Sequence, residues 1–115
     1  MNKYDVVFHV DMPDGSLNVA CSNAANYAQA LPEETFSMVL VVNAKAVTQL
    51  TKGNTALLPA LEKAHGLGLA IRVCRNALNA TGTDAAELFP QCEVIPAGIV
   101  EIVNLQREGY AYIKP

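Results

Sequence analysis

Val39-Leu40-Val41-Val42 is an apolar run without alternation. Such a run reads as a strand buried on both faces, the pattern of a parallel sheet covered by helices. It sits at the end of the second of five short apolar runs, Phe36 to Val42. The others are Tyr4 to Val10, Leu69 to Val73, Glu93 to Ile95 and Tyr110 to Ile113. Helical patterns separate them, and this alternation implies a largely parallel sheet with helices on both faces, an α/β domain. The chain of 115 residues is read as one domain, 1–115, without repeat or linker.

The first helix is expected from Leu17 to Leu31, capped by Ser16 and stopped by Pro32. Leu17, Ala20, Cys21, Ala24, Ala28 and Leu31 make one apolar stripe, so Cys21 reads as a core residue. A short helix is expected over Ala44 to Leu50. A longer one, capped by Thr55, covers Ala56 to His65, with Pro59 tolerated in its first turn. Asn76 to Ala80 reads as a brief helical turn, and Thr83 as the cap of another over Asp84 to Phe89. The last helix spans Ala97 to Glu108, with Ile99, Ile102 and Val103 turned inward and Glu101, Asn104 and Glu108 in a polar row.

Right-handed crossovers put all strand carboxyl ends on one edge, where ligands bind in open α/β sheets. That edge collects His9 and Asp11, then Asn43, then Cys74 and Asn76, and finally Pro96-Ala97-Gly98. A helix starting after Cys74 favours the thiolate through the positive end of its macrodipole, and the thiolate is the nucleophile. Cys74 is therefore the candidate reactive residue, an accessible thiol with Arg75 adjacent. His9, Asn43 and Asn76 are its candidate hydrogen-bonding or proton-handling neighbours. Each has a structural alternative: a buried thiol as a small hydrophobe, a core histidine, and asparagines as helix caps. Asp11 reads equally as a turn former, and Lys45 as a solvated lysine or a charge at the pocket mouth.

The remaining cysteines, Cys21 and Cys92, form no Cys-x-x-Cys pair with each other or with Cys74. Cys92 precedes the fourth strand and falls at the opposite edge from Cys74, beyond the roughly 7 Å between alpha carbons that a disulfide tolerates. No metal spacing, Gly-x-Gly-x-x-Gly or Walker-type loop is present, so no metal and no cofactor is expected. A net charge of -3 without a basic run argues against nucleic acid. No apolar run approaches the roughly 20 residues that span a bilayer, and Met1 to Asp5 leads straight into a strand, so a cytoplasmic protein is expected. The composition, 51% hydrophobic and only 17% charged, leaves apolar surface to be buried against another subunit.

Three stretches carry a resemblance. They are Val7-Phe8-His9-Val10-Asp11-Met12-Pro13-Asp14, Val73-Cys74-Arg75-Asn76-Ala77-Leu78, and the tail from Val94 to Pro115. Together they resemble the DsrE/DsrF-like family, related to the sulfur-relay subunits of the Tus complex. The resemblance implies a three-layer α/β/α fold with a five-stranded parallel sheet. It also implies homo-oligomers, trimers or hexamers, with the cysteine near subunit contacts. In the sulfur-relay relatives that cysteine carries a persulfide, and only Cys74 matches its position. After strand two the chain reads Asn43-Ala44-Lys45-Ala46-Val47, where many similar chains have a loop with glycine and proline.

The expected function is sulfur handling: Cys74 accepts a sulfane sulfur from a donor protein and passes it to an acceptor. Whether this counts as enzymatic sulfur transfer or as carriage stays open. The alternative is a non-catalytic oligomeric module that binds a small ligand or a partner in the same crevice. A redox sensor is a third reading, for which no resolving cysteine stands near Cys74.

Overall fold

In the computed structural model, which describes residues 2–115, five parallel strands form one sheet in the order β4-β3-β2-β1-β5. The strands are β1 Val6–Val10, β2 Met38–Val42, β3 Leu69–Cys74, β4 Cys92–Ile95 and β5 Ala111–Ile113. Every residue of β1 and β2 is buried, as their unbroken apolar runs require. The helices are α1 Ser16–Ala30, α2 Leu58–Gly66, α3 Arg75–Thr81 and α4 Gly98–Arg107, with 3-10 turns at Ala44–Leu50 and Ala85–Glu87.

The two faces of the sheet are covered unequally. Val6, Phe8 and Val10, with Met38, Leu40, Val42, Leu69, Ile71 and Val73, pack under α1, α2, α3 and the first 3-10 turn. Val7, Val39 and Val41 pack under Ile102 and Leu105 of α4 alone. The fold is thus three-layered, with a thick layer of three helices and a thin layer of one.

Several expected details shift, each for a local reason. Gly15, not Ser16, is the N-cap of α1, so the helix starts one residue early, and Asp14 Oδ1 just upstream accepts the Ser16 N–H at 2.9 Å. Thr55 caps nothing, because turns occupy Thr51 to Leu57 and α2 starts at Leu58 with Pro59 in its first turn. Asp84 replaces Thr83 as a cap, accepting the Ala86 N–H at 2.9 Å. The brief turn after Cys74 is a seven-residue helix, ended by Gly82 at φ 67 in the left-handed conformation.

The largest correction concerns α4. Ile102 and Leu105 face the sheet, whereas Ile99 and Val103 are 62% and 42% exposed. Glu101 is not solvated with the polar row but turns to Arg72, with 3.4 Å between Arg72 Nη1 and Glu101 Oε1. The helix needs one face for the Val7, Val39 and Val41 surface, and Ile102 and Leu105 at i, i+3 supply it.

Candidate functional site

Register decides which residues meet at the carboxyl edge. Val10 pairs with Val42, and Val42 with Val73. Asn43 and Cys74 therefore follow side by side on neighbouring strands, and Cys74 pairs with Ile95 of β4 on its other flank. Strand alternation turns His9 and Asn43 toward the layer of α4, while Cys74, at the start of α3, packs with the core cluster on the other face.

Cys74 is both the last residue of β3 and the residue from which α3 starts. The start of α4 lies against it. A Cβ placed on Gly98 would stand 3.2 Å from Asn43 Cβ, 3.3 Å from Val41 Cγ1 and 3.4 Å from Cys74 Cβ. A glycine here lets the helix terminus come this close to both strands without displacing them. The same contact explains a departure from expectation: Cys74 is at the edge as expected but is only 7% exposed. Gly98 closes over it and β4 flanks it.

His9, 8% exposed, is tied at both ring nitrogens. Nε2 lies 2.9 Å from Asn43 Oδ1, and Nδ1 lies 2.6 Å from the Tyr112 hydroxyl. A carboxamide oxygen only accepts, so Nε2 donates. In the neutral imidazole Nδ1 is then the acceptor, and Tyr112 donates to it. The result is a continuous chain of hydrogen bonds from Tyr112 through His9 to Asn43, the neighbour of Cys74. His9 itself sits two strands across and two residues along from Cys74, roughly 12 Å. Its link to that edge is the hydrogen bond to Asn43.

The other candidates disperse. Asn76 is exposed on the first turn of α3, outside this chain of hydrogen bonds. Arg75 and Lys45 are exposed. Asp11 pairs with Lys114 at 2.7 Å, and that hydrogen bond, helped by the lysine charge, holds its carboxyl below the ordinary carboxylate range. Asp11 thus anchors the segment after β5 beside the site.

Ala44 has a positive φ of 52. This is the conformation the missing glycine would supply without strain, and an alanine holds it at a cost of order 1 kcal/mol. The turn gives Asn43 an abrupt exit from β2 toward the edge.

All three cysteines are free. Burial pushes the Cys21 thiol up to about 11 and the Cys92 thiol up to about 12. Cys92 starts β4 opposite Ile71, three residues below the level of Cys74. Among the described residues, no group of three His, Cys, Asp or Glu side chains is placed to hold a metal ion. No helix among them is long and apolar enough to cross a membrane. A cavity of about 280 Å³, lined by Ile95, Pro96, Ala97, Val100, Glu101 and Asn104, starts at the register partner of Cys74.

Tyr112 was not legible as a site residue. Its side chain reaches His9 only because β5 pairs with β1, Val7 opposite Tyr112, and no local pattern dictates which strand the last one joins. The hydrophobic alternation of the tail gave only its strand character.

The comparisons agree with this architecture. The chain matches the solved structure of MTH1491 from Methanobacterium thermoautotrophicum, a protein of unknown function, at 30% identity and a TM-score of 0.85. The match covers 98% of this chain and 100% of that one. The ychN protein from E. coli shares the fold at 16% identity, with a TM-score of 0.78 and full coverage of both chains. No curated protein matches the sequence. The model of the DsrE/DsrF-like family matches residues 4–115, and the chain belongs to that family.

Proposed function

We propose that this protein handles sulfur, with Cys74 as the atom that carries it. The observation that carries the proposal is the position of Cys74: the single cysteine at the carboxyl edge, between a strand end and two helix starts, in a family associated with sulfur relay. Peptide dipoles at the start of α4 favour negative charge there.

In the proposed step the Cys74 thiolate attacks the outer sulfur of a donor persulfide. The donor S–S bond breaks, the donor leaves as a thiolate, and Cys74 holds the outer sulfur as a persulfide. An acceptor thiolate repeats the attack on that outer sulfur and regenerates Cys74. No electrons are gained or lost overall. Asn43 is the neighbouring hydrogen-bond donor, His9 orients it, and Asn76 borders the approach from solvent.

We further propose that copies of the chain assemble, as trimers or hexamers, over the thin layer. Ile99, Val100 and Val103 form an exposed apolar row on α4 beside the site, at 62%, 55% and 42% exposure. Val100→Glu is expected to shift light-scattering mass toward the monomer.

The test is intact mass after incubation with a persulfide donor. The parent gains the mass of one sulfur, and Cys74→Ser gains none while keeping fold and assembly. Sulfur found on Cys21 or Cys92 instead refutes the assignment.

One observation favours the second reading, a ligand- or partner-binding module in which Cys74 only lines the crevice. That observation is its 7% exposure. Native alkylation separates the two. Fast, selective labelling at Cys74 supports sulfur handling, and labelling no faster than an ordinary thiol supports the module.

A further inference from the structure

We infer that Tyr112 is a positioning residue of the Cys74 site: through His9 it fixes the Asn43 amide so that its NH2 group, not its oxygen, is presented toward the sulfur. The inference deepens the reading of Cys74 as a reactive thiol and rests on it. The argument follows the protons. A phenol O–H is a stronger donor than its oxygen is an acceptor, so the Tyr112 hydroxyl 2.6 Å from His9 Nδ1 favours the neutral tautomer with its proton on Nε2. An Nε2–H needs an acceptor, and the Asn43 group 2.9 Å away meets that need only with its oxygen. The oxygen is thereby committed to the β1 side, and the NH2 group is left on the opposite side. Register sets Cys74 there, on the neighbouring strand.

An NH2 group only donates. Beside Cys74 it stabilises a thiolate, or the negative outer sulfur of a persulfide, more strongly than a neutral thiol. The edge is therefore arranged for an anionic sulfur. If the ring is protonated, both nitrogens donate, the Tyr112 oxygen accepts, and Asn43 keeps its orientation. Without the hydroxyl, the ring is free to move its proton to Nδ1. Nε2 then accepts, the amide turns over, and an oxygen faces the sulfur.

Tyr112→Phe removes the hydroxyl while keeping the ring beside His9. The readout is the rate of Cys74 alkylation by iodoacetamide at neutral pH, in the parent, Tyr112→Phe, Asn43→Ala and the double variant. Alkylation is expected to be roughly threefold slower in Tyr112→Phe, because the sulfur loses a donor that favours its reactive anionic form. In the Asn43→Ala background the same substitution is expected to change nothing further. Side-chain nitrogen NMR, at a pH about two units above the ordinary imidazole value of about 6.5, should show one His9 tautomer in the parent and a mixture in Tyr112→Phe. Where Asn43→Ala fails to fold, Asn43→Ser takes its place.

Unchanged alkylation in Tyr112→Phe overturns the inference, as does an equal slowing with and without Asn43. If the coupling is present but the parent never takes up sulfur, the carrier reading falls and the positioning role stands.

Discussion

Gly98 is the residue on which the site's packing turns. Gly98→Ala puts a methyl 3.2 to 3.4 Å from Asn43, Val41 and Cys74, all carried by the sheet. Overpacking of this kind costs about 1–3 kcal/mol, which outweighs the gain in helix propensity. Thermal melting should show Gly98→Ala destabilised, with Gly53→Ala, which meets nothing within 4 Å, unchanged as the control. Ala44→Gly is expected to act in the opposite sense. It relieves the positive φ and should be neutral to stabilising by up to about 1 kcal/mol in the same assay. The thiols give a third outcome at this scale. With values pushed up to about 11 and about 12, Cys21 and Cys92 hold almost no thiolate at neutral pH. Peptide mapping after brief native alkylation should find label at Cys74 alone. The sequence placed Cys74, Asn43 and His9 correctly at one edge because each ends or follows an apolar strand. It gave no measure of how far Gly98 covers the sulfur, since that depends on the angle at which α4 docks.

At the scale of elements, α4 decides most. The sequence expectation turned Ile99, Ile102 and Val103 inward, and only Ile102 obeys. Periodicity alone admits either stripe on a ten-residue helix with apolar residues at 99, 100, 102, 103 and 105. The sheet chose, because Val7, Val39 and Val41 leave room for one ridge. Ile102→Ala should cost about 2–5 kcal/mol, a fall of roughly 10 °C or more in Tm, whereas Ile99→Ala should leave the melting of the isolated chain nearly unchanged. Strand existence and order of appearance were readable throughout. The unbroken run of β2 identified a doubly covered parallel sheet, and the Pro and Gly breaks limited the helices. Two caps moved by one residue, to Gly15, with Asp14 Oδ1 taking the Ser16 amide, and to Asp84, which takes the Ala86 amide.

For the whole molecule, the amino edge of the sheet is tied at Asp5. Burial alone raises this carboxyl, but donation from the backbone of Asn2 and Ser37 outweighs it, and the group ends below its ordinary value. A carboxyl lowered on folding stabilises the fold above its unfolded value of 3.8, and that contribution is lost as pH falls through the lower folded value. Asp5→Asn should therefore unfold at lower urea than the parent at pH 7, and the gap should shrink below about pH 4. The spatial order of strands was the least legible feature at this scale. β1, made first, lies between β2 and the last strand, and only tertiary packing brings Tyr112 to His9 across 103 residues of sequence.

That arrangement has a kinetic side. β5 joins the sheet through three residues on an outer edge, and all three are exposed. Small edge elements open without the rest of the molecule, at a fraction of the global free energy. Amide protons of Ala111, Tyr112 and Ile113 should exchange with deuterium well before those of β1, β2 and β3. Each such opening withdraws the tyrosine from His9 while the central strands stay paired. The sulfur edge would then alternate between a wired and an unwired form, on a clock set by its shortest strand.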